Sequence, residues 1–214
     1  LQACDPGTGP GMKVGFKGLD ITGAKYGRGF SLTDQTGRVR TLADFRGQVV
    51  MLYFGFVQCP DVCPTALMRA AAVKHLLGDQ GNRLQVLFVT VDPERDTPEM
   101  LREYMAAFDA SFLALTGSVA EIKTLADEFK VFYKKVPTGS SYTMDHTALS
   151  YLFDPDGRLR VPLPHEQTAQ DYAADVRALL SSGRSQACHA TCLPANANLD
   201  TGFGGGSGHV ATAI

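Results

Sequence analysis

No stretch of about 18 consecutive apolar residues occurs in this chain, so no segment is long and apolar enough to cross a bilayer as a helix. Lysine and arginine are not gathered into a block, and the formal net charge is only −2. A nucleic-acid-binding domain normally carries a basic stripe, so that class is excluded as the primary reading. Cysteine is sparse: five in 214 residues, too few for a disulfide scaffold of this length, and an odd number. Tryptophan is missing altogether. What is present is a 44% apolar composition, enough to bury one good core, which fits a single domain with appendages.

Four of the cysteines form two C-x-x-x-C pairs, Cys59/Cys63 and Cys188/Cys192, leaving Cys4 alone. The opening LQAC resembles the end of a bacterial lipoprotein signal, in which the cysteine is lipidated. On that reading Cys4 carries a lipid anchor and the protein lies outside the cytoplasm, where disulfides persist. Residues 1–29 then read as a lipoprotein-type start and a tether, with eight glycines between residues 5 and 29. Residues 184–214, with GFGGGSG and few apolar residues, read as a flexible tail around the second cysteine pair. Residues 30–183 are left as the folded domain.

Within that domain the hydrophobic periods are clear. FSLTDQTGRVRTLADF (30–45) alternates about a glycine turn, like a hairpin. QVVMLYFGFV (48–57) and LQVLFVTV (84–91) are continuous apolar runs of strand length, as for strands buried on both faces. PTALMRAAAVKHLLG (64–78) has helical periodicity and stops at glycine. Thr97-Pro98 starts a helix through Phe108, FLAL (112–115) is a short strand, and SVAE (118–121) is a capping box opening a helix to Phe129. TALSYLFD (147–154), the turn DPDG and RLRV form a final hairpin, and residues 168–181 a last helix. Buried strands alternating with helices predict an α/β fold, a central mixed sheet flanked by helices, in a thioredoxin-like layout with an N-terminal β-hairpin extension. In such folds chemistry sits where a strand ends and a helix begins, and Cys59 and Cys63 lie at such a junction.

The two thiols can be a redox couple, a metal site or a staple. A local staple constrains little chain, which disfavours the third. If both lie on the helix, residues four apart share a face, and the helix N-terminus favours thiolate, the form that attacks disulfides and binds metals. Thioredoxin itself uses C-x-x-C after a tryptophan; here the spacer is one residue longer and tryptophan is absent. A thioredoxin would also place a cis-proline before a late strand, opposite the cysteines. The comparable stretch here is TMDHTALSYLFDPDG, with His146 in front of the strand; Pro137-Thr138 is followed by a glycine-serine loop. Cys59, Cys63 and His146 together make a soft three-ligand set that suits Cu(I). Zinc would require a fourth ligand, for which Asp61 and Asp145 are the candidates.

FGFVQCPDVCP, VDPERDTPE, LTGS and DHTALSYLFDPDGR, in this order and at these separations, resemble the Sco/SenC family over roughly residues 25–181. The resemblance implies a membrane-tethered, thioredoxin-like protein that binds one copper ion, as Cu(I) with Cu(II) left open, through Cys59, Cys63 and His146. It further implies a copper chaperone rather than an enzyme, serving the dinuclear copper site of cytochrome c oxidase subunit II. A periplasmic copper donor and a place on the periplasmic face of the bacterial inner membrane go with that role. Some members of the family are instead credited with reducing the cysteines of that site, so a thiol-disulfide oxidoreductase using Cys59 and Cys63 is the rival reading. A peroxidase of the peroxiredoxin kind ranks below both, because FVQC lacks the threonine that chemistry needs.

Other residues carry weaker signals. Asp61 and Asp145 either tune the metal or are solvated loop carboxylates. VDPERDTPE reads as helix capping and surface ion pairs, or as a docking segment. His75 reads as exposed on a helix and His165 as a loop residue. In the tail, Cys188, His189 and Cys192 fit a second soft-metal site, a local disulfide or an incidental repeat, and the family resemblance extends to none of these.

Overall fold

In the computed structural model, residues 15–187 are described. The apolar runs dictate the centre. β3 (Val49–Gly55) and β4 (Leu84–Thr90) are buried along almost their whole length and pair in parallel, Val49 opposite Leu84 through Gly55 opposite Thr90. β5 (Leu113–Thr116) adds in parallel to β4. β8 (Leu149–Phe153) and β9 (Leu159–Pro164), the hairpin closed by the DPDG turn, run antiparallel on the other side of β3. The N-terminal hairpin, β1 (Ser31–Asp34) and β2 (Val39–Thr41), closes the far edge against β5. The mixed seven-stranded order is β2-β1-β5-β4-β3-β8-β9.

Helices cover both faces. α1 (Val62–Leu77) and α4 (Ala169–Ala187) pack together, and α4 lies against β3. α4 runs beyond the 168–181 span that its apolar period predicts. α2 (Pro98–Ala106) is capped by Thr97, whose hydroxyl accepts from Met100 N–H. α3 (Val119–Phe129) opens with the predicted capping box, Ser118 and Glu121 each bonding to the other's backbone. From α3, Phe129 inserts among Phe54, Tyr151 and Phe153, with ring centroids 5.4–5.9 Å away. These residues share one face of the sheet, so the alternate β3 residues, Tyr53 and Gly55, face α1 and α4. The arrangement is thioredoxin-like, with the β1–β2 hairpin as an extension.

Two parts differ from the sequence reading. Residues 133–146, where the sequence marks only a glycine-serine loop after Pro137-Thr138, form a second, two-stranded sheet, β6 (Tyr133–Thr138) and β7 (Ser141–His146). Gly139, at φ +61°, makes the tight turn between them. The irregular lead-in from residue 15 is tied to the body: Lys17 and Gly18 N–H donate to Asp175 of α4 at 2.6 and 2.8 Å. No helix among the described residues is long and apolar enough to cross a membrane.

Candidate metal centre

β3 ends at Gly55, and the chain turns through residues 56–61 before α1 begins at Val62. Cys63 therefore lies in the first turn of α1, whereas Cys59 stands in the preceding loop. The condition under which both thiols would share one helical face is therefore not met, although α1 begins two residues before the 64–78 span read from the sequence. The loop folds back so that Cys63 N–H, at the helix N-terminus, donates to Cys59 Sγ at 3.4 Å. Both are buried free thiols, Cys63 completely.

His146 arrives from the other side, as the last residue of β7 just before β8. Its Nε2 lies 3.4 Å from Cys63 Sγ. Its Nδ1 lies 3.1 Å from the carbonyl oxygen of Thr147, which can only accept. In the neutral ring Nδ1 thus carries the proton and Nε2 presents its lone pair to the sulfurs, the state a metal ligand needs. Tyr53 and Phe56 hold the imidazole edge-on, at 6.0 and 5.9 Å between centroids. The ligand atoms of Cys59, Cys63 and His146 all lie within 4.8 Å of one another.

The thiols are not equivalent. A hydrogen bond from Cys63 lowers the Cys59 thiol to about 4; burial opposes this, and the N–H groups of Asp61 and Cys63 assist. Cys63 is pushed upward by the same hydrogen bond to Cys59, then by burial and by the Cys59 charge. The pair thus holds one proton, on the inner sulfur. Loss of that proton gives two thiolates and an imidazole, a soft trigonal donor set that fits Cu(I).

Space for the inner sulfur comes from Gly55. A Cβ there would meet Cys63 Sγ at 2.9 Å and Phe88 at 2.7 Å. The opening is a cavity of about 320 Å³ lined by Cys59 and His146, with Phe56, Met144, Asp61 and Asp145 around it. Asp61 and Asp145 are exposed at its rim and stand outside the donor cluster, so neither supplies zinc's fourth ligand in this arrangement. His75 is exposed in the last turn of α1. His165 lies in the turn after β9, its Nδ1 3.4 Å from Arg69 Nη1, with its pKa lowered by burial and then by that guanidinium. Cys4, Cys188, His189 and Cys192 lie outside the described residues.

Sequence reasoning missed Gly55, Tyr53 and the Thr147 carbonyl. Only Gly55 left a signal, since a lone glycine inside an apolar strand marks a close approach.

Comparison with known proteins agrees with this geometry. The family model described as SCO1/SenC matches residues 20–181. A SCO2-like protein of Rickettsia prowazekii is 41% identical over 137 residues, 63% of this chain and 67% of that protein. The structure of Bradyrhizobium japonicum ScoI with copper bound is 41% identical, with a TM-score of 0.66 over 72% of this chain and 98% of that one. BsSco, described as a member of the Sco family of cytochrome c oxidase assembly proteins with a disulfide switch, is 26% identical at a TM-score of 0.61, over 77% of this chain and 96% of that one. With its fold, its C-x-x-x-C loop and the facing histidine in place, this chain belongs to the SCO1/SenC family.

Proposed function

We propose that this protein is a copper chaperone that takes up one Cu(I) at Cys59, Cys63 and His146 and hands it to the dinuclear copper site of cytochrome c oxidase subunit II. The observation that carries the reading is the convergence, within 4.8 Å, of two sulfurs from the β3–α1 junction and one imidazole nitrogen from β7. A relative solved with copper bound and another described as an oxidase assembly protein support it.

The cavity bears on transfer. Cys59 and His146 line it, while Cys63 sits behind them, fully buried. Incoming thiolates from a partner reach the ion from the Cys59 and His146 side, so copper leaves by ligand exchange with Cys63 released last. Uptake expels the proton on Cys63, and the low pKa of Cys59 keeps one thiolate ready at neutral pH. That same thiolate is a nucleophile beside a second thiol. It supports the second reading, reduction of the partner's disulfide with closure of a Cys59–Cys63 disulfide.

Lipidation of Cys4, a place on the periplasmic face of the inner membrane and a periplasmic copper donor complete the proposal. A Cys4→Ser precursor that stays with the membrane fraction would remove the anchor from it. The copper claim is tested by elemental analysis of anaerobically reduced protein, with and without residues 188–214. One copper per chain in both is the expected result. No tightly bound copper in either would refute the chaperone reading, and loss of a second equivalent on truncation would assign CHATC as a further site.

A further inference from the structure

The cysteine loop and the histidine hairpin belong to different sheets. β6 and β7 make no ladder with the seven-stranded sheet, and Cys59 stands in a loop. Something must hold their relative position, because soft-metal affinity depends on placing all three donors at once. The segment between them in space is the loop after β4, residues 91–96, VDPERD.

We propose that Arg95 is a positioning residue for the metal centre, a clamp that ties the Cys59 loop to the His146 hairpin; the inference rests on the copper-site reading above. One nitrogen, Arg95 Nη1, donates both to Gln58 Oε1 at 3.1 Å, next to Cys59, and to the Tyr142 carbonyl at 2.8 Å, on β7. The guanidinium lies over the Tyr142 ring, 3.6 Å from its centroid. Its Nε is fixed by the buried carboxylate of Asp92, which also accepts from Tyr142 Oη at 2.8 Å. The next residue, Asp96, accepts from Val57 N–H at 3.1 Å and from Thr90 Oγ1 at 2.6 Å, securing the start of the same cysteine loop.

On β7, Tyr142, Met144 and His146 share a face by strand alternation, so fixing Tyr142 fixes the face that presents the imidazole. Only a planar, forked cation can stack and donate in these directions together; a lysine cannot. The arrangement is also costly to keep for stability alone. Arg95 Nη2 is buried with no hydrogen-bond partner, as is Asp96 Oδ1.

The test is a double-variant cycle read by competition against a Cu(I) chelator, using the full chain. Arg95→Ala should weaken Cu(I) binding by about 10–100-fold, the scale for outer partners of metal ligands, and Arg95→Lys should not restore it. Because Arg95 acts through His146, Arg95→Ala/His146→Ala should bind within about twofold of His146→Ala alone, the margin within which independent effects add. In metal-free Arg95→Ala, the His146 ring resonances should broaden by exchange while the thiols still close a disulfide, since both lie within residues 59–63. Wild-type affinity in Arg95→Ala, or losses that add in the double variant, would overturn the clamp. Wild-type affinity in His146→Ala would overturn the copper-site reading instead, and the metal-free ring resonances then decide the clamp alone. If Arg95→Ala does not fold, Tyr142→Leu, which removes the stacking ring from a half-buried strand, must show the same non-additivity in smaller measure.

Discussion

Cys59 and Cys63 are chemically identical side chains, yet the fold gives them opposite roles. The outer sulfur sits against N–H groups at the start of α1 and a neighbouring thiol proton, and titrates at about 4. The inner one, buried against Tyr53 and Gly55, keeps its proton. This asymmetry has a consequence for stability in the metal-free, reduced protein. Between about pH 4 and the ordinary thiol value of about 8.5, an unfolded pair binds two protons and the folded pair one, so the pair's contribution rises with pH. Above about 8.5 the unfolded pair binds none while Cys63 keeps its own, so the contribution falls. Urea stability of the wild type, minus that of a Cys59→Ser/Cys63→Ser variant, should therefore peak near pH 8.5. A difference that is flat across this range would contradict the single-proton pair. At this scale the meeting of Cys59, Cys63 and His146 was legible in the sequence, because two thiols at a strand-to-helix junction and a histidine before a late strand converge in a fold of this layout. The placement of Cys59 off the helix was not. Spacing counts residues but does not say where the first turn begins, and Asp61, at φ −142° and ψ −70°, is the non-helical N-cap before Val62.

Among the elements, β3 does most to shape the site. Its seven residues are all buried, with Phe54 packing towards α3 and Tyr53 and Gly55 towards α1. Gly55→Ala would push a methyl group into Cys63 Sγ and Phe88. Such overpacking costs about 1–3 kcal/mol, or several degrees of melting temperature in a chain of this size, and displaces the Cys63 sulfur. Thermal melts and Cu(I) competition should both move; a variant with unchanged melting and affinity would show that the strand end yields. The apolar runs made β3, β4 and the helices legible, as did the capping residues Thr97 and Ser118. The β6–β7 hairpin escaped because it is a two-stranded sheet with little burial, so its strands lack the apolar pattern that identifies the others. Pro137 inside β6 and the Gly139-Ser140 turn reinforced a loop reading, yet an isolated edge tolerates proline. VDPERDTPE was legible as the start of α2 and not as a clamp, since its arginine acts across 47 residues of sequence.

For the whole molecule, a rigid sheet carries the cysteine loop and a separate hairpin carries the histidine. An ion held by the three side chains would lie between two parts, reachable from the one open side that Cys59 and His146 line. Such an architecture suits the proposed role, in which copper is bound firmly and still released. It also separates the two readings of the cysteines, because disulfide exchange needs only the loop whereas copper transfer needs both parts. The most direct measurement loads wild type and His146→Ala with Cu(I) and follows copper uptake by metal-free, reduced oxidase subunit II, alongside thiol exchange with its oxidised form. His146→Ala should bind copper more weakly by over about 10–100-fold, the cost of losing an outer partner alone. It should also fail to fill the subunit II site while still exchanging thiols. If His146→Ala holds and delivers copper as the wild type does, His146 is not a ligand and the chaperone mechanism is contradicted.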